Sequence, residues 1–398
     1  MIRKTVFLIA AFLFASSVAH ADDGRGLQRG GDAGDVSISG ISSGAAMAVQ
    51  YAVAHSGSIV GVGSIAGPSW GCAQSSVSRA INDCMCGRHE VSSNIEMARS
   101  LAERNTQAID PLVSGKPKAL KRAYVFQSAA DGVVVARSGK TSINFLASFI
   151  GNTPVQDWGN AVDGSNSAGH GIISPDGADS CRATGNDATY VRRCGVEDNA
   201  GRLFHTLYGQ GPSYDVSKRV DNIPESEVWA FDQQRIIDEV KGKAGSIAPD
   251  SFFVFFPIKS SRRENFDLAQ TGYLYVPPSC RRDGSKCRVH VALHGCKQHA
   301  KNFAATAGYN NWAEYYKVIV VYPAIEQQPV AQGPEICEAG LIPSSIDNLW
   351  VRPNDNGCWD WWGYLDNGWP EKNRYITKDA PQIQVIERII AEVTKPVR

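Results

Sequence analysis

The chain has 398 residues, with 40 basic residues balanced by 40 acidic ones and an apolar share of 43%. Such a composition fills a large globular core, and zero net charge leaves no electrostatic footprint for nucleic acid or an acidic membrane surface. A neutral substrate suits this balance better than a polyanion.

Met1 to Ala21 reads as a secretory signal peptide: a basic start at Arg3 and Lys4, an apolar run from Val6 to Phe14, and a small-residue end at Ala19-His20-Ala21. The run is too short to span a bilayer. The expected mature chain is soluble, begins at Asp22, and is a single domain over 22–398. Its ten cysteines then meet an oxidising compartment and read first as disulfides.

Asp35–Ser39 reads as a short strand and Ala45–Ala54 as a helix with no Gly or Pro inside. Between them lies Gly40-Ile41-Ser42-Ser43-Gly44, a G-x-S-x-G box. In a chain with 38 glycines the box alone is weak and also reads as an ordinary turn. The strand before it and the helix after it make Ser42 the expected nucleophile, exposed on a sharp turn with the Ser43 amide aimed at the same point.

Ser58–Ala66 is a second buried strand, Ser92–Arg104 a helix, and Arg122–Ser128 a third strand ending at Ala129-Ala130-Asp131-Gly132. Asp131 therefore stands where an open α/β sheet carries catalytic groups and is the expected acid, with a capping or turn aspartate as the alternative. Asp157 and Asp163 lack a clean preceding strand. Among the histidines, His55 ends a helix, His89 sits in a polar loop, His290 is inside a strand, His299 is in a helix-like stretch, and His205 lies in the predicted helix Gly201–Tyr208. His170, in the glycine-flanked Ser167-Ala168-Gly169-His170-Gly171, follows the acid. The order nucleophile, acid, histidine is that of the α/β hydrolases, so His170 is the expected base.

Few residues precede the nucleophile, whereas an ordinary α/β hydrolase has four strands there. The missing strands appear late. Cys287–Cys296 reads as a strand ending in His294-Gly295, followed by a helical stretch and a further strand over Lys317–Pro323. The expected fold is a circularly permuted α/β hydrolase with a mostly parallel sheet. The Cys296 amide joins that of Ser43 in the oxyanion hole, and His294 is structural.

Cys280 and Cys287 flank a polar turn and look like a staple; Cys181 and Cys194 close a similar loop. Cys84-Met85-Cys86 has no further ligands at metal spacing, so no metal or other cofactor is expected. The stretch 215–264 is charged and reads as a lid or a surface insertion, with Glu225–Val240 helical. Trp350, Trp359, Trp361, Trp362 and Trp369 crowd one region. Trp359 and Trp361 read as core, Trp350 and Trp369 as surface against which a neutral polymer lies. The chain closes on an amphipathic helix, Gln382–Val393, with no linker, repeat or low-complexity segment. Faster attack on soluble oligomers than on crystalline polymer is expected from that.

Together these blocks resemble the extracellular poly(3-hydroxybutyrate) depolymerases with the lipase box near the N-terminus. The resemblance rests on Gly40–Gly44, Asp131, His170 with Asp179-Ser180-Cys181, Thr271–Pro277, Val291–Cys296, Gly308–Ala313 and Asn356–Trp361. It implies a secreted serine esterase, a triad of Ser42, Asp131 and His170, oxyanion amides from Ser43 and Cys296, and a Cys296–Cys358 disulfide. A polyester or its oligomers is the implied substrate, and a monomer without nucleic-acid or stable membrane partners the expected state. Two other readings stand beside it: a β-diketone hydrolase acting on oxidised polyvinyl alcohol, and a non-catalytic polymer-binding envelope protein.

Overall fold

The computed structural model describes residues 26–151, 155–157, 167–183, 189–209, 214–243, 265–282, 285–326, 337, 354–366 and 373–396. Residues 1–21, read above as a signal peptide, and Asp163, Trp350, Trp369 and residues 244–264 lie outside these.

The described residues form eleven strands: β1 (Gly31–Ile41), β2 (Ile59–Ile65), β3 (Arg122–Phe126), β4 (Val155–Asp157), β5 (Ile172–Ile173), β6 (Asp179–Ser180), β7 (Val191–Arg193), β8 (Val228–Asp232), β9 (Thr271–Tyr275), β10 (Cys287–Leu293) and β11 (Val318–Tyr322). Eight make one sheet in the order β4-β3-β2-β1-β10-β11-β9-β8; β5, β7 and β6 form a small parallel sheet. From β4 to β11 all neighbours are parallel, and β9 and β8 are antiparallel. If the chain were read from β8 round to β4, this would be the α/β-hydrolase order, so the fold is the circularly permuted hydrolase. The last helix, Pro381–Val393, ends beside β1, where the Gly30 amide donates to the Lys395 carbonyl at 2.8 Å.

The central strands are apolar on both faces because both faces are covered. In β11, Ile319 and Val321 enter one buried cluster while Val318, Val320 and Tyr322 enter another. On the face of the second cluster, β1 carries two buried serines that require partners. Ser37 Oγ lies 2.7 Å from His290 Nδ1, and Ser39 Oγ 2.7 Å from His290 Nε2; Tyr208 and Tyr309 hydroxyls close the chain at either end.

Burial pushes His290 down to about 3 and His294 down to about 4. Both are neutral in the fold, whereas an unfolded chain protonates them below about 6.5. Their stabilising contribution is thus complete above that value and is lost as pH falls toward 4, by up to about 1.4 kcal/mol per pH unit for each histidine. A melting curve followed from pH 7 to 4 is expected to drop steeply below about 6.5. A flat profile over that window would contradict neutral burial.

One expected element is corrected. Glu225–Val240 is not one helix: a short 3-10 turn, Glu225–Glu227, leads into β8, and the helix is Gln233–Lys243. Val228-Trp229-Ala230-Phe231 is aromatic and β-branched, and it pairs along β9 as the sheet edge.

Candidate active site

The helix α1 (Ser43–Ala54) follows β1 after a single residue, and all twelve of its residues are buried. Ser42 takes up that reversal at φ 57° and ψ −120°, a conformation costly for a residue with a Cβ. The two box glycines permit it. A Cβ on Gly40 would stand 2.4 Å from the Gly44 backbone, and one on Gly44 would stand 2.3 Å from the His294 carbonyl oxygen. Gly44→Ala is accordingly expected to cost about 1–3 kcal/mol and to push the His294 turn off Ser42. Denaturant titration beside an activity assay checks this; a variant as stable and active as the parent would contradict the packing.

Ser43 opens α1, so its amide has no intrahelical acceptor and sits at the positive end of the helix dipole. The facing donor comes from the turn after β10. A Cβ on Gly295 would stand 3.3 Å from the Ser42 Cβ, placing this turn against Ser42. The Gly295 amide donates to Gln298 Oε1 at 2.6 Å, so the next N–H, that of Cys296, is the one the turn has to offer.

His294 holds the turn with both ring nitrogens engaged. Its Nδ1 lies 2.8 Å from the Gly295 carbonyl oxygen and therefore donates, while Nε2 accepts from the Ile325 amide at 3.1 Å. Trp359, fully buried, donates its indole N–H to the His294 carbonyl at 2.9 Å and its amide to Ser43 Oγ at 3.4 Å. The Cys296–Cys358 disulfide closes the same loop, with the Lys297 amide on the Asn356 carbonyl at 2.7 Å.

Asp131 lies on the loop after β3, two strands from Ser42 in a parallel sheet, and hence at the same sheet edge. Its Oδ1 accepts the amides of Val133 and Val134, both at 2.9 Å. Its Oδ2 accepts Gln127 Nε2 at 3.0 Å and lies 2.8 Å from His170 Nδ1. Both partners are buried. A carboxylate oxygen only accepts, so the imidazole carries its proton on Nδ1 and leaves Nε2 as a base. An orienter–base pair at the same sheet edge as a strained serine and two amides is the set of groups that acyl transfer uses.

Of the expected residues, Ser42, Ser43 and Cys296 meet at the β1–β10 seam, and Asp131 pairs with His170. His205 lies on the helix Asn199–Tyr208, where burial and Arg202 lower its pKa. Cys181–Cys194 and Cys280–Cys287 form as expected. Cys84 and Cys86 part company, bonding Cys72 and Cys337. Trp361 and Trp362 are buried beside Cys358. Among the described residues no His, Cys, Asp and Glu group is arranged to hold a metal, and no helix is long and apolar enough to cross a membrane. Gln127, Gln298, Arg192 and the anchoring role of Trp359 were not foreseen, since no local motif marks them.

No family model matches the chain. It is 25% identical over 369 residues, 91% of its length, to a poly(3-hydroxybutyrate) depolymerase of Delftia acidovorans, and spans 60% of that relative. It is 27% identical over 343 residues to a polyhydroxybutyrate depolymerase of Talaromyces funiculosus, covering 83% of this chain and 82% of the relative. In fold it is similar to a PHB depolymerase complexed with an R3HB trimer, with a TM-score of 0.65 and 23% identity, and to a PHB depolymerase from Penicillium funiculosum, with a TM-score of 0.63 and 23% identity. Each structural match covers 92% of this chain and 98% of the other.

Proposed function

We propose that this chain, similar along 91% of its length to a poly(3-hydroxybutyrate) depolymerase, is a secreted serine esterase that hydrolyses short-chain 3-hydroxyacid polyesters and their oligomers. The observation that carries the reading is the buried 2.8 Å pair of Asp131 and His170 at the sheet edge where Ser42 holds its strained turn. Export is supported by the five disulfides of the described residues.

In this mechanism His170 Nε2 takes the Ser42 hydroxyl proton as Oγ attacks the ester carbonyl. The oxygen that becomes negative is received by the amides of Ser43 and Cys296, which are fixed before substrate arrives and need no reorganisation. His170, now protonated and steadied by Asp131, returns the proton to the departing hydroxyl of the 3-hydroxyacid unit. Water, deprotonated by the same Nε2, then attacks the acyl-enzyme and frees Ser42. The cycle balances without metal or redox partner.

The test is a side-by-side screen of the purified protein. Release of 3-hydroxybutyrate monomer or oligomers from amorphous polyester is the expected result. Cleavage of a small β-diketone with no ester hydrolysis would keep the chemistry and overturn the substrate class.

A further inference from the structure

We propose that Arg192 and Gln298 are positioning residues that hang His170 and the oxyanion turn on one shared segment, Thr189–Arg192. This rests on the esterase reading above and extends it to residues outside the triad. Arg192 is 1% exposed and donates both Nε–H and Nη2–H to the His170 carbonyl oxygen, at 3.0 and 2.7 Å. A buried guanidinium is a costly way to satisfy one carbonyl, but its rigid fork fixes the direction in which that carbonyl points. Asp179 faces the charge at 3.5 Å and the Tyr190 ring lies 5.6 Å from it.

The neighbouring chain is shaped to admit this grip. A Cβ on Gly171 would stand 2.8 Å from Arg192 Cγ and 2.8 Å from the Tyr190 carbonyl oxygen, so only glycine leaves the arginine room. Tyr190 itself holds a positive φ of 57° and sets its ring edge-on to His170 at 5.8 Å. The Ile172 amide donates to the Tyr190 carbonyl at 3.0 Å, tying the residues just after the base to the same segment.

The oxyanion turn reaches that segment through one side chain. Gln298 is 6% exposed; its Oε1 accepts the Gly295 amide at 2.6 Å, and its Nε2 donates to the Thr189 carbonyl at 2.8 Å. Base and oxyanion donors thus share a mount, and a shift of the mount moves both.

The experiment compares the parent with Arg192→Met, Gln298→Met and the double variant. For each, kcat and KM on a soluble p-nitrophenyl ester are normalised to active sites titrated with a fluorophosphonate. Each single change is expected to lower kcat per active site by about 10- to 100-fold with KM within about twofold, as misplacement of reacting groups does. The double variant is expected to lose little more than the worse single one, because the mount is common. Should Arg192→Met not fold, Arg192→Lys keeps the charge, loses the two-toothed grip and serves in its place. Parent-like kcat in the single variants would overturn the proposal, as would losses that multiply in the double variant. A parent that takes no label at all would instead overturn the esterase reading.

Discussion

His170→Ala is expected to remove turnover almost completely, by roughly 10⁶ in kcat on the scale of other serine-hydrolase triads, with the melting temperature near that of the parent. Asp131→Asn makes the sharper point. The Val133 and Val134 amides face Oδ1 of residue 131 at 2.9 Å, so an asparagine there turns its own oxygen toward them and its NH₂ toward His170. The imidazole must then accept at Nδ1 and carry its proton on Nε2, where it cannot take one from Ser42. A loss of about 10⁴ in kcat follows. Steady-state kinetics on a soluble ester check both variants, and near-normal turnover in either would remove that residue from the mechanism.

The second large effect is expected at a disulfide that takes no part in proton transfer. Cys296 is bonded to Cys358, and Lys297, the next residue, donates its amide to the carbonyl of Asn356, two residues before Cys358. Replacing both cysteines by serine frees the turn that offers the Cys296 amide. Loss of one oxyanion donor costs roughly 10²–10³ in rate, and loss of the bridge a further 2–4 kcal/mol or so of stability. Thiol-alkylating reagents without reductant are expected to leave the parent active, since the sulfur has no chemical role. Stopped activity under those conditions, or unchanged kcat in the double serine variant, would contradict this.

Local signals carried much of this architecture. Asp35–Ser39 and Lys317–Pro323 read as strands because both are short and rich in β-branched residues. The helix Ser92–Arg104 read to the residue. The glycines of the serine box and those flanking His170 were visible in the sequence, but the atoms from other parts of the chain that they admit, such as the His294 and Ala183 carbonyls, were not. Glu225–Val240 misled because its charged residues fit a helical surface, while the pairing of β8 with β9 that overrides propensity is non-local. Arg192 reaches His170 across 22 residues and Gln298 reaches Thr189 across 109. Cys86 finds Cys337 across 251. No pattern in a single sequence encodes such distances, so residues that hold the site stayed hidden while those placed to do its chemistry stood in plain motifs.

Covalent mapping with a fluorophosphonate tests the central claim most directly. The intact protein should gain the mass of one adduct, and digestion should place it on Ser42; Ser42→Ala should take none, and His170→Ala should take it far more slowly. An adduct on Ser43 or on any other serine, or a parent that stays unlabelled, would contradict the assignment of Ser42 as the nucleophile.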